Sequence, residues 1–387
     1  MTGAMNAAIA GLKTHMDKMN VIGNNIANVN TAGYKTQRTI FKDAMYTTYS
    51  NGSNGTDVVG GKNPAQIGYG SQVSTIDLNM ASGSFTPGRA TDCTIDGDGF
   101  FLVGDKNIQI ESNDPNSLKS LKLTRVGDFE FKADGYLCDG NGNPVYGFLT
   151  TGVNPDTGMP IVSDQLVPIR LPRAATMYRH PDGTVDDKAE PDTVPVMDVK
   201  YPSDVKVGEN PKDPQVPRVP LHDYQGTDID APVDYPYVQM DSISIDPNTG
   251  AISGTTKDGN KLITIGYLAI GNVTNPGGVS HTDGFYYTAG DGAGDLQVSM
   301  LGGVAKELNI QKVNGSLYLD PDHPQSDKMT IGSAGGTKLL TGGLEGSNVD
   351  LAVEIAEMIT TQRGYQANTR IITVTDAMLE ELVNIKR

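Results

Sequence analysis

The sequence predicts an α+β fold. One helix lies at each end of the chain, the two pair as a coiled coil, and the mainly antiparallel β-rich body carries a Pro-rich insertion. Three observations predict this fold. Apolar residues recur at intervals of four and three near both ends, short apolar–polar alternations fill the middle, and proline is dense over residues 174–236. A chain of 387 residues is long enough for more than one compact domain.

The N-terminal residues form a heptad pattern, which is typical of a helix that packs along one stripe against another helix. Its apolar members are Met5, Ile9, Leu12, Met16, Met19 and Ile26. Gly23 occupies the remaining position of the pattern. We expect this helix to end within residues 28–33, where Asn and Gly residues favour a stop.

A second long helix is predicted from residue 348 to the C-terminus, a stretch without proline in which Gly364 is the single glycine. The same spacing recurs there, with Ser347 and Asn348 as expected caps. Its apolar members are Leu351, Ile355, Met358, Tyr365, Ile372, Leu379 and Val383. The two helices pair either inside one domain or in a bundle of several subunits. We call the apolar positions of these two heptad patterns the predicted seam. Such patterns at both extreme ends favour the bundle, because chain ends are otherwise often poorly ordered.

The middle of the chain predicts strands joined by tight turns. Short alternating segments lie between four hairpin signals, Asp134-Gly135, Asn141-Gly142, Asp258-Gly259 and Asp283-Gly284. The frequent prolines of residues 174–236 exclude long helices and central strands from that segment.

Three domains are therefore expected. Residues 1–49 together with 346–387 form a terminal helical polymerisation domain. Residues 50–173 together with 237–345 form the β-rich body. Residues 174–236 form an outer insertion or a small β domain.

The charge of the chain argues against several partners. Its formal net charge is −16 and its pI is about 4.6, so it lacks the basic surface that nucleic acid or anionic lipid requires. No stretch reaches the roughly 20 apolar residues of a membrane span. The N-terminus has no basic segment followed by an apolar core, so we expect no conventional cleavable signal peptide and no membrane insertion. The protein then either stays in the cytoplasm or leaves by a route that does not read such a signal.

A search for catalytic or metal sites gives no candidate. The five histidines lack metal-ligand spacing, and Asp139, Asn141 and Asn143 begin a calcium-loop pattern that Pro144 and Thr150 break. A hairpin turn explains these residues better. The two cysteines, at positions 93 and 138, are expected to be buried free thiols, with a mutual disulfide as the alternative. We expect no enzymatic activity, cofactor or metal.

Both ends of the chain resemble the signatures of the flagellar rod, hook and hook-associated axial protein family. The N-terminal signature residues are Asn24, Asn25, Ile26, Ala27, Asn28, Asn30, Gly33, Tyr34 and Lys35. The C-terminal signature residues are Ser347, Asn348, Val349, Asp350, Gln362, Arg363 and Tyr365. The likeness covers roughly residues 1–173 and 237–387.

The resemblance implies a structural subunit of the bacterial flagellar hook, which self-assembles into a tubular, flexible universal joint between rod and filament. Its implied partners are copies of itself, the flagellar rod, hook-cap and hook–filament junction proteins, and the type III export apparatus. Its implied location is the extracellular hook of the flagellum, reached by export without a cleavable signal peptide. A distal rod protein is the alternative, because it shares this architecture. A secreted β-rich enzyme or adhesin with helical ends is a further hypothesis, and it would require a cleft with converging polar groups.

Overall fold

The computed structural model describes most of the chain and contains a long helix at each end with strands between them, which confirms the α+β class. The described residues are 2–55, 60–106, 118–153, 160–162, 166–179, 185–186, 194–200, 237–257, 261–300, 310–313, 316–319 and 337–385. Within these ranges, no helix combines the length and apolar character needed to cross a lipid bilayer.

The chain divides into two compact units, residues 1–81 with 347–387 and residues 82–346. The first unit contains both helices and four strands. They are α1 (Thr2–Ala27), β1 (Gln37–Asp43), β2 (Tyr46–Ser50), β3 (Ala65–Gly68), β4 (Ser71–Leu78) and α2 (Leu351–Ile385). α1 stops immediately before Asn28, as the Asn- and Gly-rich segment predicts, and Gly33 has a φ of 69° in the turn that follows.

The four strands of the first unit form one long antiparallel hairpin. β1 pairs with β4 from Gln37↔Leu78 to Asp43↔Ser71, with an irregularity after Ile40. β2 pairs with β3 farther along the same hairpin, where Tyr46 lies opposite Gly68. A two-stranded ribbon has little core of its own, so its stability depends on what packs against it.

Asp350 caps α2. Its Oδ1 accepts hydrogen bonds from Ala352 N at 2.9 Å and Val353 N at 3.3 Å. The expectation that Ser347 and Asn348 cap this helix was therefore wrong. Both lie too far before the first helical residue, Leu351, and Ser347 Oγ instead accepts from Val349 N at 3.3 Å.

The second unit is built from strands. Its strands are β5 (Phe85–Pro87), β6 (Cys93–Asp96), β7 (Phe100–Val103), β8 (Lys122–Thr124), β9 (Glu130–Phe131), β10 (Leu137–Cys138), β11 (Tyr146–Val153), β12 (Pro160–Val162), β13 (Val167–Pro168), β14 (Arg173–Arg179), β15 (Val185–Asp186), β16 (Val194–Lys200), β17 (Met240–Ile245), β18 (Ala251–Thr256), β19 (Leu262–Val273), β20 (Ser280–His281), β21 (Tyr286–Thr288), β22 (Leu296–Met300), β23 (Ile310–Val313), β24 (Ser316–Leu319), β25 (Lys338–Thr341) and β26 (Gly343–Glu345). A short 3₁₀ turn, Pro276–Gly278, precedes β20.

The longest strand, β19, lies at the centre of the largest sheet. That sheet runs in the order β12-β11-β19-β7-β8-β21-β20, and β19 also pairs with β18 and β22. The pairings of β19 are antiparallel. Residues 265–271 of this strand are buried without interruption, because neighbouring strands cover it on several sides. β14, β15 and β16 form a separate three-stranded sheet in which β14 is central, so the expectation of no central strand in residues 174–236 was wrong for this proline-free segment. Residues 201–236 of the predicted insertion lie outside the described residues.

A large apolar core cluster stabilises the second unit. Its most deeply buried members are Cys93, Ile95, Phe101, Val103, Phe129, Val145, Leu149, Ile169, Ile252, Leu268 and Ile270. Both cysteines are free and buried, as the sequence predicts. Burial raises the pKa of the Cys138 thiol to about 11.

The predicted hairpin turns are present where the structure describes them. Gly135, Gly142 and Gly284 have positive φ values, whereas the Asp258-Gly259 signal lies outside the described residues. At the rejected calcium loop, Asp139 Oδ1 accepts from Asn141 N at 3.0 Å and Asn143 N at 2.8 Å. These bonds form a side-chain-supported turn, which confirms the hairpin interpretation. Among the described residues, no cluster of three or more His, Cys, Asp or Glu side chains is arranged to hold a metal.

Candidate assembly interface

α1 and α2 pack against each other in an antiparallel direction. Lys18 Nζ lies 2.9 Å from Glu357 Oε2, and Asn25 Nδ2 donates to Glu354 Oε1 at 3.0 Å. Residue numbers therefore rise along one helix as they fall along the other. Nearer the start of α1, Gly11 lies against Asn368, in agreement with this direction.

Two glycines allow the helices to approach closely. A Cβ added at Gly11 would lie 2.7 Å from Asn368 Nδ2, and one added at Gly364 would lie 2.8 Å from the His15 ring. Each helix therefore supplies one glycine that accommodates a polar side chain of the other helix. Larger side chains at either position would push the two backbones apart.

The side of α2 with the least exposed residues follows a regular 4–3 spacing. Its members are Glu354, Met358, Thr361, Tyr365, Asn368, Ile372, Thr375 and Leu379. We call these eight residues the inner face of α2. Half of them are polar, and Thr361 and Thr375 are buried. A polar residue at such a position favours one register when it bonds to the other helix, as Glu354 does to Asn25.

Asn25 connects the helix pair to the first strand. It is almost fully buried, and its Oδ1 accepts from Tyr34 OH and from Gln37 N, each at 3.0 Å. Its Nδ2 donates to Gln37 O at 2.9 Å in addition to the bond with Glu354. Two donated and two accepted bonds use the full capacity of a side-chain amide.

Asn348 and Lys35 connect the start of α2 to the loop after β4. Asn348 Oδ1 accepts from Thr36 N at 2.7 Å, and its Nδ2 donates to Asn79 O at 2.8 Å and Ala81 O at 3.0 Å. Lys35 is buried, and its Nζ also donates to Ala81 O, at 2.9 Å. Buried polar groups of this kind are retained when their hydrogen bonds are satisfied.

Two titratable groups in the helix pair respond to pH in opposite directions. Burial, and to a lesser extent the neighbouring Glu357, raises the pKa of Glu354, although the hydrogen bond from Asn25 opposes this shift. The contribution of Glu354 to stability is therefore present at low pH and is lost as pH rises through the raised pKa. Burial, followed by the positive charge of Lys18, lowers the pKa of His15 below 6.5, so protonation of His15 destabilises the pair at acid pH.

The structure divides the predicted seam into two sets. The less exposed set contains Met5, Leu12, Met19, Ile26, Met358, Tyr365, Ile372 and Leu379. The exposed set contains Ile9, Met16, Leu351, Ile355 and Val383. The exposed set does not lie between the two helices of one chain, and its role in contacts between subunits stays a prediction.

Sequence reasoning missed the polar half of the inner face, Glu354, Thr361, Asn368 and Thr375. Each lies in the same 4–3 spacing as Met358, Tyr365, Ile372 and Leu379, which the predicted seam already contains. An apolar pattern does not select polar residues, and beside Glu354 it selected Ile355, which is exposed.

Asn25→Asp tests the role of the Asn25 amide. This nearly isosteric change removes both donated hydrogen bonds and places a carboxylate next to Glu354. We expect the first unit to lose about 2–3 kcal/mol of its free energy of unfolding, measured by urea titration followed by far-ultraviolet circular dichroism. Asn30→Asp is the matched control, because Asn30 is exposed and its replacement should cost only about 0.5 kcal/mol. Equal losses in the two variants would contradict this role.

Comparisons with known proteins match both ends of the chain. Residues 5–35 match the family described as "Flagella basal body rod protein", and residues 340–385 match "Flagellar basal body rod FlgEFG protein C-terminal". The chain is 29% identical to the flagellar basal-body rod protein FlgG of Bacillus subtilis (strain 168), over the full length of both proteins. It is 27% identical to the flagellar hook protein FlgE of Borreliella burgdorferi and 24% identical to that of Treponema pallidum, again over the full length of each.

The helical ends, the strand-rich body and these matches together define a structural protein of the bacterial flagellum. More particularly, the chain is similar over its full length to flagellar hook and basal-body rod proteins, and both of its ends match the models of that family. The relatives include both hook and rod proteins, so the comparisons do not choose between these two locations.

Proposed function

We propose that the chain is a structural subunit of the flagellar hook and that it polymerises through its two terminal helices. The observation that carries this proposal is the exposed apolar surface of α2. The large apolar residues exposed on this helix are Leu351, Val353, Ile355, Ile359, Ile371, Val374, Met378, Leu382, Val383 and Ile385. Contiguous apolar surface of this kind is unfavourable in water and is typical of a protein–protein interface.

These residues lie on two flanks of the helix. In its first half, Leu351, Ile355 and Ile359 follow each other at intervals of four. In its second half, Ile371, Val374 and Met378 lie on the opposite flank relative to the inner face. A helix with apolar residues on both flanks, as well as a partner along its inner face, suits a bundle of more than two helices. We propose that copies of this chain supply the additional helices, as a coiled-coil tube of terminal helices.

The same proposal assigns a place in the hook to the other parts of the chain. Residues 50–173 with 237–345 form the wall of the tube, and residues 174–236 form an outer insertion that touches neighbouring subunits. The whole chain contains 46 glycines and 22 prolines. A wall rich in such residues suits sliding contacts between subunits better than a wall with dry apolar interfaces. The subunit acts as a mechanical element and not as an enzyme. Its partners are the rod, the hook cap, the hook–filament junction and the type III export apparatus, which delivers it outside the cell.

The distal rod is the second candidate. The FlgG relative from Bacillus subtilis aligns over 390 residues, so chain length does not distinguish a hook protein from a rod protein. The family name alone does not distinguish them either, because relatives of both kinds align with the whole chain.

Immunogold labelling of isolated hook–basal bodies separates the two locations. We expect antibodies against residues 201–236 to label the curved hook along its length, and deletion of the gene to leave basal bodies that keep a rod but lack a hook. Antibodies against the FlgG-type rod protein of the same cells are the control. Label confined to the straight rod, or loss of the distal rod on deletion, would favour the rod location instead.

A further inference from the structure

The end of the long hairpin in the first unit carries two Asn-Gly pairs within five residues, Asn51-Gly52 and Asn54-Gly55. All five residues from 51 to 55 are exposed. Among the hydrogen bonds of the described residues, none involves the Asn51 or Asn54 side chain or the N–H groups of the two glycines. The bonds in this region instead join Ser53 and Lys62, in both directions at 3.0 Å.

A third Asn-Gly pair, Asn141-Gly142, provides an internal comparison because its reactive groups are engaged. Asn141 Nδ2 donates to Tyr286 OH at 2.8 Å, and Gly142 N donates to Asp139 O at 3.0 Å. Tyr286 is itself buried and held by Asp139. A fourth pair, at residues 314–315, lies outside the described residues.

We infer that Asn51 and Asn54 are sites of spontaneous deamidation, whereas the fold protects Asn141. A glycine directly after the asparagine favours deamidation most, because glycine lacks a Cβ and its backbone can turn toward the preceding side chain. The reaction requires the glycine nitrogen to reach the asparagine Cγ. That approach is open at the exposed hairpin end, but at Asn141 it requires two hydrogen bonds to break.

The chemistry needs only water as co-reactant. The Gly52 nitrogen loses its proton and attacks Asn51 Cγ, so that a new C–N bond closes a succinimide ring. The Cγ–Nδ2 bond breaks and the amide nitrogen leaves as ammonia with the transferred proton. Water then opens the ring at either carbonyl carbon, which yields aspartate or isoaspartate. The same sequence applies to Asn54 and Gly55.

Each conversion changes the hairpin end in two ways. It adds a negative charge to a chain whose net charge is already −16. Where the product is isoaspartate, the backbone also gains one methylene, which disturbs the local pairing beyond Ser50 and Ala65. The converted fraction at Asn51 and Asn54 therefore increases with the time since the subunit was synthesised.

Peptide mapping by mass spectrometry tests this inference on the full-length protein. The native chain is incubated in mildly alkaline buffer made with ¹⁸O water, and a carboxyl methyltransferase specific for isoaspartate quantifies that product. We expect ¹⁸O-labelled aspartate and isoaspartate at positions 51 and 54. Because two ordinary hydrogen bonds must break at Asn141, its conversion should be roughly tenfold slower or more.

Two controls make the result decisive. In urea all three pairs should react at similar rates, because only the fold distinguishes them. Gly52→Ala should slow conversion at Asn51 and leave Asn54 unchanged. Equal native rates at Asn51 and Asn141 would overturn the inference, as would hairpin sites that react in urea but not in the native chain.

Discussion

Replacing Glu345 with alanine is expected to destabilise the second unit by about 3–5 kcal/mol, because the change leaves a buried arginine without its opposite charge. Arg125 and Glu345 both have essentially no exposed side-chain surface, and Arg125 Nη1 lies 3.8 Å from Glu345 Oε2. Burial lowers the pKa of Arg125, and the negative charge of Glu345 opposes that shift. The loss of stability on removing Glu345 therefore comes mainly from the positive charge that remains buried on Arg125.

The surroundings of Arg125 prevent it from moving to solvent. Its Nη1 donates to Ile95 O at 3.1 Å and its Nη2 donates to Gly97 O at 2.7 Å. The guanidinium carbon also lies 5.5 Å from the centre of the Phe100 ring. These contacts hold the cation in place, so loss of Glu345 is not relieved by a simple change of rotamer.

Glu345 also joins two segments of the second unit that are distant in sequence. Its Oε1 accepts from Gly83 N at 2.9 Å, and its strand β26 pairs with β5, where Glu345 lies opposite Phe85. Gly346 N donates to Ser84 O at 2.6 Å beside this pair. We therefore expect Glu345→Ala to loosen both segments together, and hydrogen exchange of residues 83–87 should report it.

Urea unfolding followed by the reactivity of Cys93 and Cys138 measures the effect, because both thiols are buried in the second unit. Glu130→Ala is the matched control. Glu130 is an exposed acid that pairs with Lys132, so its loss should cost less than about 1 kcal/mol. The double variant Glu345→Gln with Arg125→Met removes both charges and should recover most of the lost stability. Similar losses for Glu345→Ala and Glu130→Ala would show that the buried pair is not what holds this region.

The helices and turns of this protein could be predicted from the sequence because their signals are local. The apolar spacing near residues 5–26 and 351–383 predicted both helices, and the Asn28–Gly33 segment predicted where α1 ends. Asp134-Gly135 and Asn141-Gly142 predicted turns that the structure contains. Each of these features depends on interactions within a few residues along the chain.

Features that depend on distant contacts could not be predicted in this way. The hydrogen bond between Asn25 and Glu354 joins residues 329 positions apart, and the Arg125–Glu345 pair likewise joins two ends of a long segment. No local pattern marks Glu345 as the partner of Arg125. The polar half of the inner face of α2 was missed for a related reason. Glu354 accepts a bond from Asn25 and Asn368 lies against Gly11, and an apolar pattern does not indicate such contacts.

Ile355→Asp is expected to abolish polymerisation while leaving the monomer folded, and this contrast separates contacts between subunits from contacts within one subunit. Ile355 is 48% exposed in the single chain, so an aspartate there remains in contact with water. The substitution should lower the free energy of unfolding of the monomer by only about 0.5 kcal/mol. In a polymer in which Ile355 packs against a neighbouring helix, the same carboxylate would be buried without a partner, which costs several kcal/mol at every subunit.

Ala377→Asp supplies the matched control for this prediction. Ala377 is an exposed residue of the same helix, and it lies nine positions after Asn368, on the side of α2 opposite the inner face. Both variants add one negative charge to the helix, so a general effect of charge on export or solubility would affect both. Hook length in cells and polymer yield from purified protein, measured by electron microscopy, should be lost for Ile355→Asp and kept for Ala377→Asp. Circular dichroism should show the same helix content in both monomers. Hooks of normal length from Ile355→Asp would show that this flank of α2 faces solvent in the polymer, and the exposed apolar residues of α2 would then need a different partner.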